Sequence, residues 1–149
     1  MNTRKYSVEV GGKTLTAEFS NLADQADGSV ILRYGNTVIL ATAVMSSKAK
    51  EGQGYFPLTV EYEERFYAAG QILGSRFVRR EGRPSDEAML SGRIVDRTIR
   101  PFFPQYIRNE VQVVITVLGV EEYDPDILGV VAASLALGTS RIPWNGPVS

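Results

Sequence analysis

The chain has 149 residues, of which 44% are hydrophobic and 22% charged, and its formal net charge is −1. These values are typical of one globular domain with a hydrophobic core, and they exclude an intrinsically disordered chain. No apolar run reaches the roughly 18 residues that a membrane span needs, so we expect no membrane partner. The N-terminus lacks the apolar stretch of a secretory signal, and we expect a cytoplasmic protein.

The chain contains neither cysteine nor histidine. Their absence excludes disulfides, thiolate and imidazole metal sites, and Ser-His-Asp or Cys-His catalysis within this chain. A metal bound here would need carboxylate ligands, which favour Mg²⁺ or Mn²⁺ over Zn²⁺.

Two β-hairpins are predicted in the first third of the chain. Apolar residues alternate over residues 5–19 around a turn at Gly11-Gly12. The pattern recurs over residues 29–44 around Gly35-Asn36, where β-branched residues are dense enough for a buried central strand. Four strands are therefore expected before residue 45.

A loop and a fifth strand are predicted next. Residues 46–55 are polar and glycine-containing, which indicates a loop, and residues 56–62 alternate again. The acids that follow this strand are interpreted as a solvated edge in preference to a metal site. Two further acids near residue 125 are interpreted as helix-capping residues. These acids are Glu61, Glu63, Glu64, Asp124 and Asp126.

The second half of the chain predicts a helix, a strand and another helix. Ser85 is a suitable N-cap, and Pro101 ends the first helix. Residues 110–120 predict a strand, and Asp124-Pro125 begins a second, mostly apolar helix that ends at Gly138. Five strands, a helix, a strand and a helix indicate an α+β fold.

Arginine is concentrated in one part of the chain. Eight of the 12 arginines fall between residues 76 and 108, a window that contains no lysine and only four acids. The window therefore has a net charge of +4, and the rest of the chain has a net charge of −5. This asymmetry predicts a local anion site, and the planar guanidinium is suited to bidentate phosphate binding.

The first predicted helix carries three of these arginines on one face. At about 100° per residue, Arg93, Arg97 and Arg100 lie opposite a broad apolar side. The arginine face is either a phosphate-binding surface or a solvated face with Asp96 as ion-pair partner. The apolar side is predicted to contain Ala88, Leu90, Ile94, Val95, Thr98 and Ile99.

A second arginine group precedes this helix and includes an aromatic residue, Phe77. Arginines beside an aromatic ring are typical of a single-stranded RNA contact, in which guanidinium groups bind phosphates and the ring stacks on a base. Composition leaves a set of surface ion pairs as an equal alternative. The arginines are Arg76, Arg79, Arg80 and Arg83.

Residues 74–85 and 93–104 closely resemble the bacterial polynucleotide phosphorylase family, and residues 67–70 and 142–147 fit it as well. The matching part is the first of that family's two RNase PH-like core domains, and the resemblance runs along the whole chain, residues 1–149. It implies a mixed sheet packed on helices with βαβ topology. It also implies that the domain is incomplete at its C-terminus and that the second core and the ancillary RNA-binding domains are absent.

The resemblance implies a function for the parent protein. That protein would be a 3′–5′ exoribonuclease, a polyribonucleotide nucleotidyltransferase, which uses inorganic phosphate as co-substrate to release nucleoside diphosphates from single-stranded RNA. It would form a homotrimer, bind Mg²⁺ outside this chain and have possible degradosome-type partners. The chain itself would line the RNA channel and scaffold the trimer, and it would be inactive alone because it holds no catalytic residue.

The resemblance also implies which residues bind RNA. The family's channel loop has two phenylalanines followed by two basic residues; Phe77, Arg79 and Arg80 match this pattern, and Val78 replaces the second aromatic in a loop one residue longer. Four further arginines of this sequence match arginines of the family. Of these, Arg100 is expected to be functional or structurally essential, and Arg97 could equally pair with Asp96 or Glu87. They are Arg83, Arg93, Arg97 and Arg100.

Two other functions fit the sequence. One is a non-catalytic RNA-binding ring subunit of an exosome-like assembly. The other is a structural oligomer module whose arginine helix is buried in ion pairs, and strong salt dependence of RNA binding would count against it.

Overall fold

The computed structural model describes residues 3–49, 52, 54–72, 74, 82–121 and 124–149. These residues form a six-stranded sheet and two α-helices, with short 3₁₀ turns at Asn21–Ala23, Phe66–Ala69 and Arg100–Phe102. In chain order the elements are β1 (Arg4–Val10), β2 (Lys13–Phe19), β3 (Gly28–Tyr34), β4 (Thr37–Ala49), β5 (Leu58–Glu63), α1 (Asp86–Ile99), β6 (Asn109–Gly119) and α2 (Pro125–Gly138).

Both predicted hairpins are present. Strands β1 and β2 pair antiparallel, and the turn between them has positive φ at Gly11 (58°) and Gly12 (79°), a conformation that glycine adopts without a steric penalty. Strands β3 and β4 pair antiparallel through the Gly35-Asn36 turn. Local turn chemistry therefore sets the register within each of the two hairpins.

The last two strands make the sheet mixed. The strand order is β1-β2-β3-β4-β6-β5, so β6 lies between β4 and β5. It pairs antiparallel with β4 and parallel with β5. Because α1 connects the parallel pair β5 and β6, these elements form a βαβ unit, which confirms the expected α+β fold with a mixed sheet. Strand β5 lies at one edge of the sheet, beside α1.

The predicted loop over residues 46–55 begins later than expected, because β4 continues to Ala49. Its pairing with β6 shifts register between Met45 and Ala49. The extra residues are held by Ser46, whose Oγ accepts from the Glu110 N–H at 3.0 Å and donates to the Lys48 carbonyl at 2.9 Å. A serine side chain thus stabilises a strand irregularity that polar composition alone indicated as a loop.

Helix α2 lies over β3 and β4. It approaches the sheet closely at Gly28, where a Cβ would lie 2.1 Å from the carbonyl oxygen of Ala136. Ile127, near the start of α2, is 71% exposed, so burial does not extend all round the helix. No helix within the described ranges is long and apolar enough to cross a membrane.

The buried side of α1 differs from the prediction. Leu90 and Ile94 are 57% and 50% exposed, whereas Ser91 and Gly92 are buried. A Cβ on Gly92 would lie 3.5 Å from the Cβ of Tyr62 in β5, so the helix contacts the sheet through small residues that permit close approach. Hydrophobicity alone therefore predicted the wrong buried face, because it included Leu90 and Ile94 and left out Ser91 and Gly92. The buried residues are Ala88, Ser91, Gly92, Val95 and Ile99.

Candidate nucleic-acid interface

The N-terminal end of α1 is fixed by a side-chain cap. Ser85 Oγ accepts a hydrogen bond from the Ala88 N–H at 3.0 Å and donates one to a Glu64 carboxylate oxygen at 2.8 Å. Asp86 and Glu87 lie in the first turn, where the helix dipole favours negative charge. The predicted N-cap is confirmed, and it also ties the helix to the chain that follows β5.

The C-terminal end of α1 is fixed by Arg100. Its guanidinium contacts both Asp96 carboxylate oxygens, at 2.7 and 3.2 Å, and donates to the Leu58 carbonyl oxygen at 3.2 Å. Trp144 Nε1 donates to the Ile99 carbonyl at 3.1 Å from the other direction. Arg100 therefore joins α1 to the edge strand β5, a geometry that suits the structural role considered for it.

Arg93 and Arg97 have a different environment from Arg100. Both are exposed, and neither forms an ion pair or hydrogen bond with another residue that the structure describes. Asp96, the partner considered for Arg97, pairs with Arg100 instead. Since four residues span about 6 Å of helix axis, the two guanidinium groups lie one turn apart on a common surface. We call Arg93 and Arg97 the arginine pair.

A groove runs beside the arginine pair between β5 and α1. Its volume is about 410 Å³, and Arg93 and Arg100 line it together with apolar side chains that include Val60 and Met89. A guanidinium beside an apolar wall is a suitable environment for a phosphate and the sugar or base attached to it. The acids Glu61, Glu63 and Asp96 line the same groove and limit where a phosphate can bind.

The remaining predicted RNA-binding residues lie at the other end of α1 or outside the described residues. Arg83 is exposed and lines a cavity of about 660 Å³ with Glu61, Glu63 and Glu64, among others. Phe77, Arg79 and Arg80, and with them Arg76, fall in the undescribed range. The structure thus places Arg93 and Arg97 on α1, Arg100 at its C-cap and Arg83 before its N-terminus.

The acids near these elements have local structural partners. Glu63 pairs with Arg65, Glu64 accepts from Ser85, and Asp124 Oδ1 accepts from the Asp126 N–H at 3.0 Å. The last contact confirms that Asp124 caps α2. The described part of the chain contains no group of three or more acidic side chains arranged to hold a metal ion.

One notable side chain was not singled out from the sequence. Tyr62 was assigned only as an alternating strand residue, yet it is 3% exposed, and its buried hydroxyl lies beside the Asp126 carboxylate. Burial, followed by the charges of Asp126, Glu64 and Asp124, raises the pKa of this phenol, so it stays protonated at neutral pH. The alternating pattern of a single strand does not predict that Tyr62 is surrounded by carboxylates from other elements.

The family comparison covers most of the chain. Residues 11–143 match the model of the 3′ exoribonuclease family, domain 1. A polyribonucleotide nucleotidyltransferase from Thermomicrobium roseum is 54% identical over 143 residues, which cover 95% of this chain and 18% of that protein. The corresponding protein of Heliobacterium modesticaldum is 53% identical over 144 residues, covering 96% and 20%. The chain therefore spans about a fifth of the length of these curated relatives.

Two solved structures share the fold. The crystal structure of Rrp46 from rice (Oryza sativa) aligns with a TM-score of 0.63 at 14% identity, covering 97% of this chain and 58% of that one. The Archaeoglobus fulgidus exosome with RNA bound to the active site aligns with a TM-score of 0.61 at 16% identity, covering 99% and 58%. At these identities the likeness shows the fold alone.

Proposed function

Because the chain belongs to the 3′ exoribonuclease family, we propose that it is the first core domain of a phosphorolytic 3′–5′ exoribonuclease and binds the backbone of single-stranded RNA. The arginine pair carries this proposal. Two exposed guanidinium groups, one helical turn apart and unpaired with any described residue, are available to phosphates. Each guanidinium donates through a planar fork to two phosphate oxygens, which positions a strand without reading its sequence.

The neighbouring contacts explain how this surface would be kept in place. Arg100 is held by Asp96 and by the Leu58 carbonyl, so we assign it a positioning role. It fixes the last turn of α1 against β5 and thereby fixes the direction in which Arg93 and Arg97 leave the helix. Phe77, Arg79, Arg80 and Arg83 remain proposed RNA contacts.

The chemistry itself is proposed to lie elsewhere in a longer protein. There, inorganic phosphate would cleave the terminal phosphodiester bond of RNA and release a nucleoside diphosphate. The described residues do not form a fitting Mg²⁺ site, since no three acids are suitably arranged, and we propose that Mg²⁺ binds outside this chain. A cytoplasmic homotrimer that encloses an RNA channel, with degradosome-type partners, completes the proposal.

A non-catalytic RNA-binding ring subunit remains the second candidate. Rice Rrp46 and the archaeal exosome share the fold, but at 14% and 16% identity that likeness shows the fold alone. The two polyribonucleotide nucleotidyltransferases described above are 54% and 53% identical, which makes them the stronger guide to the parent's activity.

Because the chain is proposed to bind RNA while the catalytic site lies elsewhere, we expect the 149-residue chain to bind oligo(A) without degrading it. Incubated with oligo(A), phosphate and Mg²⁺, the chain should release no ADP above background, because its described residues form no site for the metal that phosphorolysis requires. Chromatography of the reaction measures ADP, and a full-length polyribonucleotide nucleotidyltransferase serves as the positive control. Sustained ADP release by the chain would show that it contains its own catalytic site.

A further inference from the structure

Strand β1 forms an open edge of the sheet, opposite to the edge that carries α1. Among the described residues it pairs with β2 alone, and all seven of its residues are exposed. It contains no proline, and its register against β2 continues without a bulge. Proline and bulges are devices that protect edge strands, so β1 is free to accept a further strand.

The outward-facing backbone groups of β1 belong to Lys5, Ser7 and Glu9. Val10 and Lys13 flank the two-residue glycine turn and are the first cross-strand pair of the hairpin, so their backbone groups bond to each other. Bonded and non-bonded pairs alternate along an antiparallel ladder. The N–H and C=O groups of Lys5, Ser7 and Glu9 therefore point away from β2.

The apolar face of the sheet continues onto β1 beyond the cover of α2. Tyr6 lies directly opposite Ala17, which lies opposite the fully buried Leu32 of β3, so these three side chains share one face. Helix α2 packs on β3 and β4, and Tyr6 and Val8 are 61% and 56% exposed. An apolar strip beside an open edge favours a partner that supplies both a strand and an apolar face.

We propose that this partner is a second copy of the chain, paired antiparallel through β1 about a two-fold axis at Ser7. That register aligns all seven residues of the two strands and gives bonded pairs to the outward-facing residues. It places each Lys5 opposite Glu9 of the second copy. Each Tyr6 lies opposite Val8 of the second copy, which is an aromatic–β-branched pair on the apolar face.

Charge complementarity selects this register. The carboxylate of Glu9 forms no ion pair or hydrogen bond with any described side chain, so it is available to the second copy. Lys5 contacts its own Glu18 at 2.5 Å, yet its side chain is 61% exposed, and its ammonium has further donors for a second carboxylate. A slip to the next permitted register would place Ser7 opposite Lys5 or Glu9 and would break both intermolecular ion pairs.

The same surface on both copies makes the contact isologous and closed, so the association stops at a dimer. Three bonded residue pairs would supply about six backbone hydrogen bonds and join two six-stranded sheets into one. Because a single strand and its neighbours form a small interface, we expect a reversible dimer at high protein concentration. This dimer does not depend on the proposed binding of RNA.

Sedimentation velocity of the 149-residue chain over a range of concentrations tests the proposal, and we expect a monomer–dimer equilibrium. Glu9→Lys and Lys5→Glu each place like charges opposite one another in two symmetric pairs. Each variant alone should therefore dimerise at least about tenfold more weakly. An equimolar mixture of the two variants restores opposite charges in both pairs and should recover the dimer. Glu110→Lys reverses an exposed acid on the interior strand β6 and should leave dimerisation unchanged.

The chain has no cysteine, so a single introduced cysteine reports the register. Two copies of Ser7→Cys would have Cα atoms about 5.5 Å apart, which a disulfide spans. Thr14→Cys, at an exposed position of β2, would lie three strand spacings from its copy, at least about 14 Å. Under a mild oxidant we expect covalent dimers from Ser7→Cys and not from Thr14→Cys.

Three results would overturn the proposal. They are a monomer at every concentration, a dimer or trimer that is insensitive to both charge variants, and equal cross-linking of the two cysteine variants. A trimer insensitive to these variants would instead agree with the homotrimer proposed above, so the two assemblies are distinguished.

Discussion

Replacing Gly28 with alanine is expected to destabilise the fold by more than about 3 kcal/mol, the upper range for overpacking a core. The new Cβ would lie 2.1 Å from the Ala136 carbonyl oxygen and 2.8 Å from the Ser140 Cβ. The first of these atoms is backbone in α2, so only a shift of the helix away from the sheet relieves the contact. Urea unfolding, read as a change in midpoint at constant slope, measures the loss.

Gly54→Ala is the matched control for this substitution. An added Cβ at Gly54 meets nothing within 4 Å, and its backbone does not require glycine. Its midpoint should change by less than about 0.5 kcal/mol, as is usual for surface substitutions. Equal stability of the Gly28 and Gly54 variants would contradict the close packing of α2 on β3.

The second large effect concerns the predicted channel loop with Phe77, Arg79 and Arg80, and it is measured in the full-length protein of which the chain is proposed to be the first core. Changing Arg79 and Arg80 together to alanine should weaken single-stranded RNA binding uniformly across sequences. The slope of log affinity against log salt should fall by roughly 0.7 for each lost phosphate contact. Fluorescence anisotropy with several labelled oligonucleotides over a range of salt concentrations measures both quantities.

Phe77→Ala separates stacking from charge in the same loop. Stacking contributes about 1–3 kcal/mol per base and releases no counter-ions, so affinity should fall while the salt slope is unchanged. If Arg79 and Arg80 form only surface ion pairs, each is worth about 0–1 kcal/mol of stability, and RNA affinity should not change. Unchanged affinity and slope in the double variant would refute the channel assignment.

Local signals were sufficient for most of the elements. Both hairpins, β5, β6 and the two helices follow from alternation, glycine turns and the Ser85 and Asp124 caps. The position of β6 between β4 and β5 does not follow from these signals, because strand order depends on long-range packing. The buried face of α1 also depended on its partner strand, since Gly92 and not Leu90 contacts the sheet.

Part of the candidate site could also be predicted from local sequence signals. Helical spacing alone places Arg93, Arg97 and Arg100 on one face. Their different environments depend on where Asp96 and the Leu58 carbonyl lie, which only the packing of α1 against β5 determines. The environment of Tyr62 arises from two glycines on different helices, and no short sequence window contains both.

The salt dependence of RNA binding by the arginine pair tests the central claim most directly. The variant Arg93→Ala/Arg97→Ala is compared with Arg4→Ala/Arg33→Ala, which removes two exposed arginines from β1 and β3 and so loses the same charge. Between about 50 and 200 mM salt, the slope for oligo(A) should fall by roughly 1.4 in the first variant, since each lost contact removes roughly 0.7. The second variant should keep the slope of the unsubstituted chain. Equal slopes in both variants, or no RNA binding by the unsubstituted chain, would contradict the assignment of this helix surface to the RNA backbone.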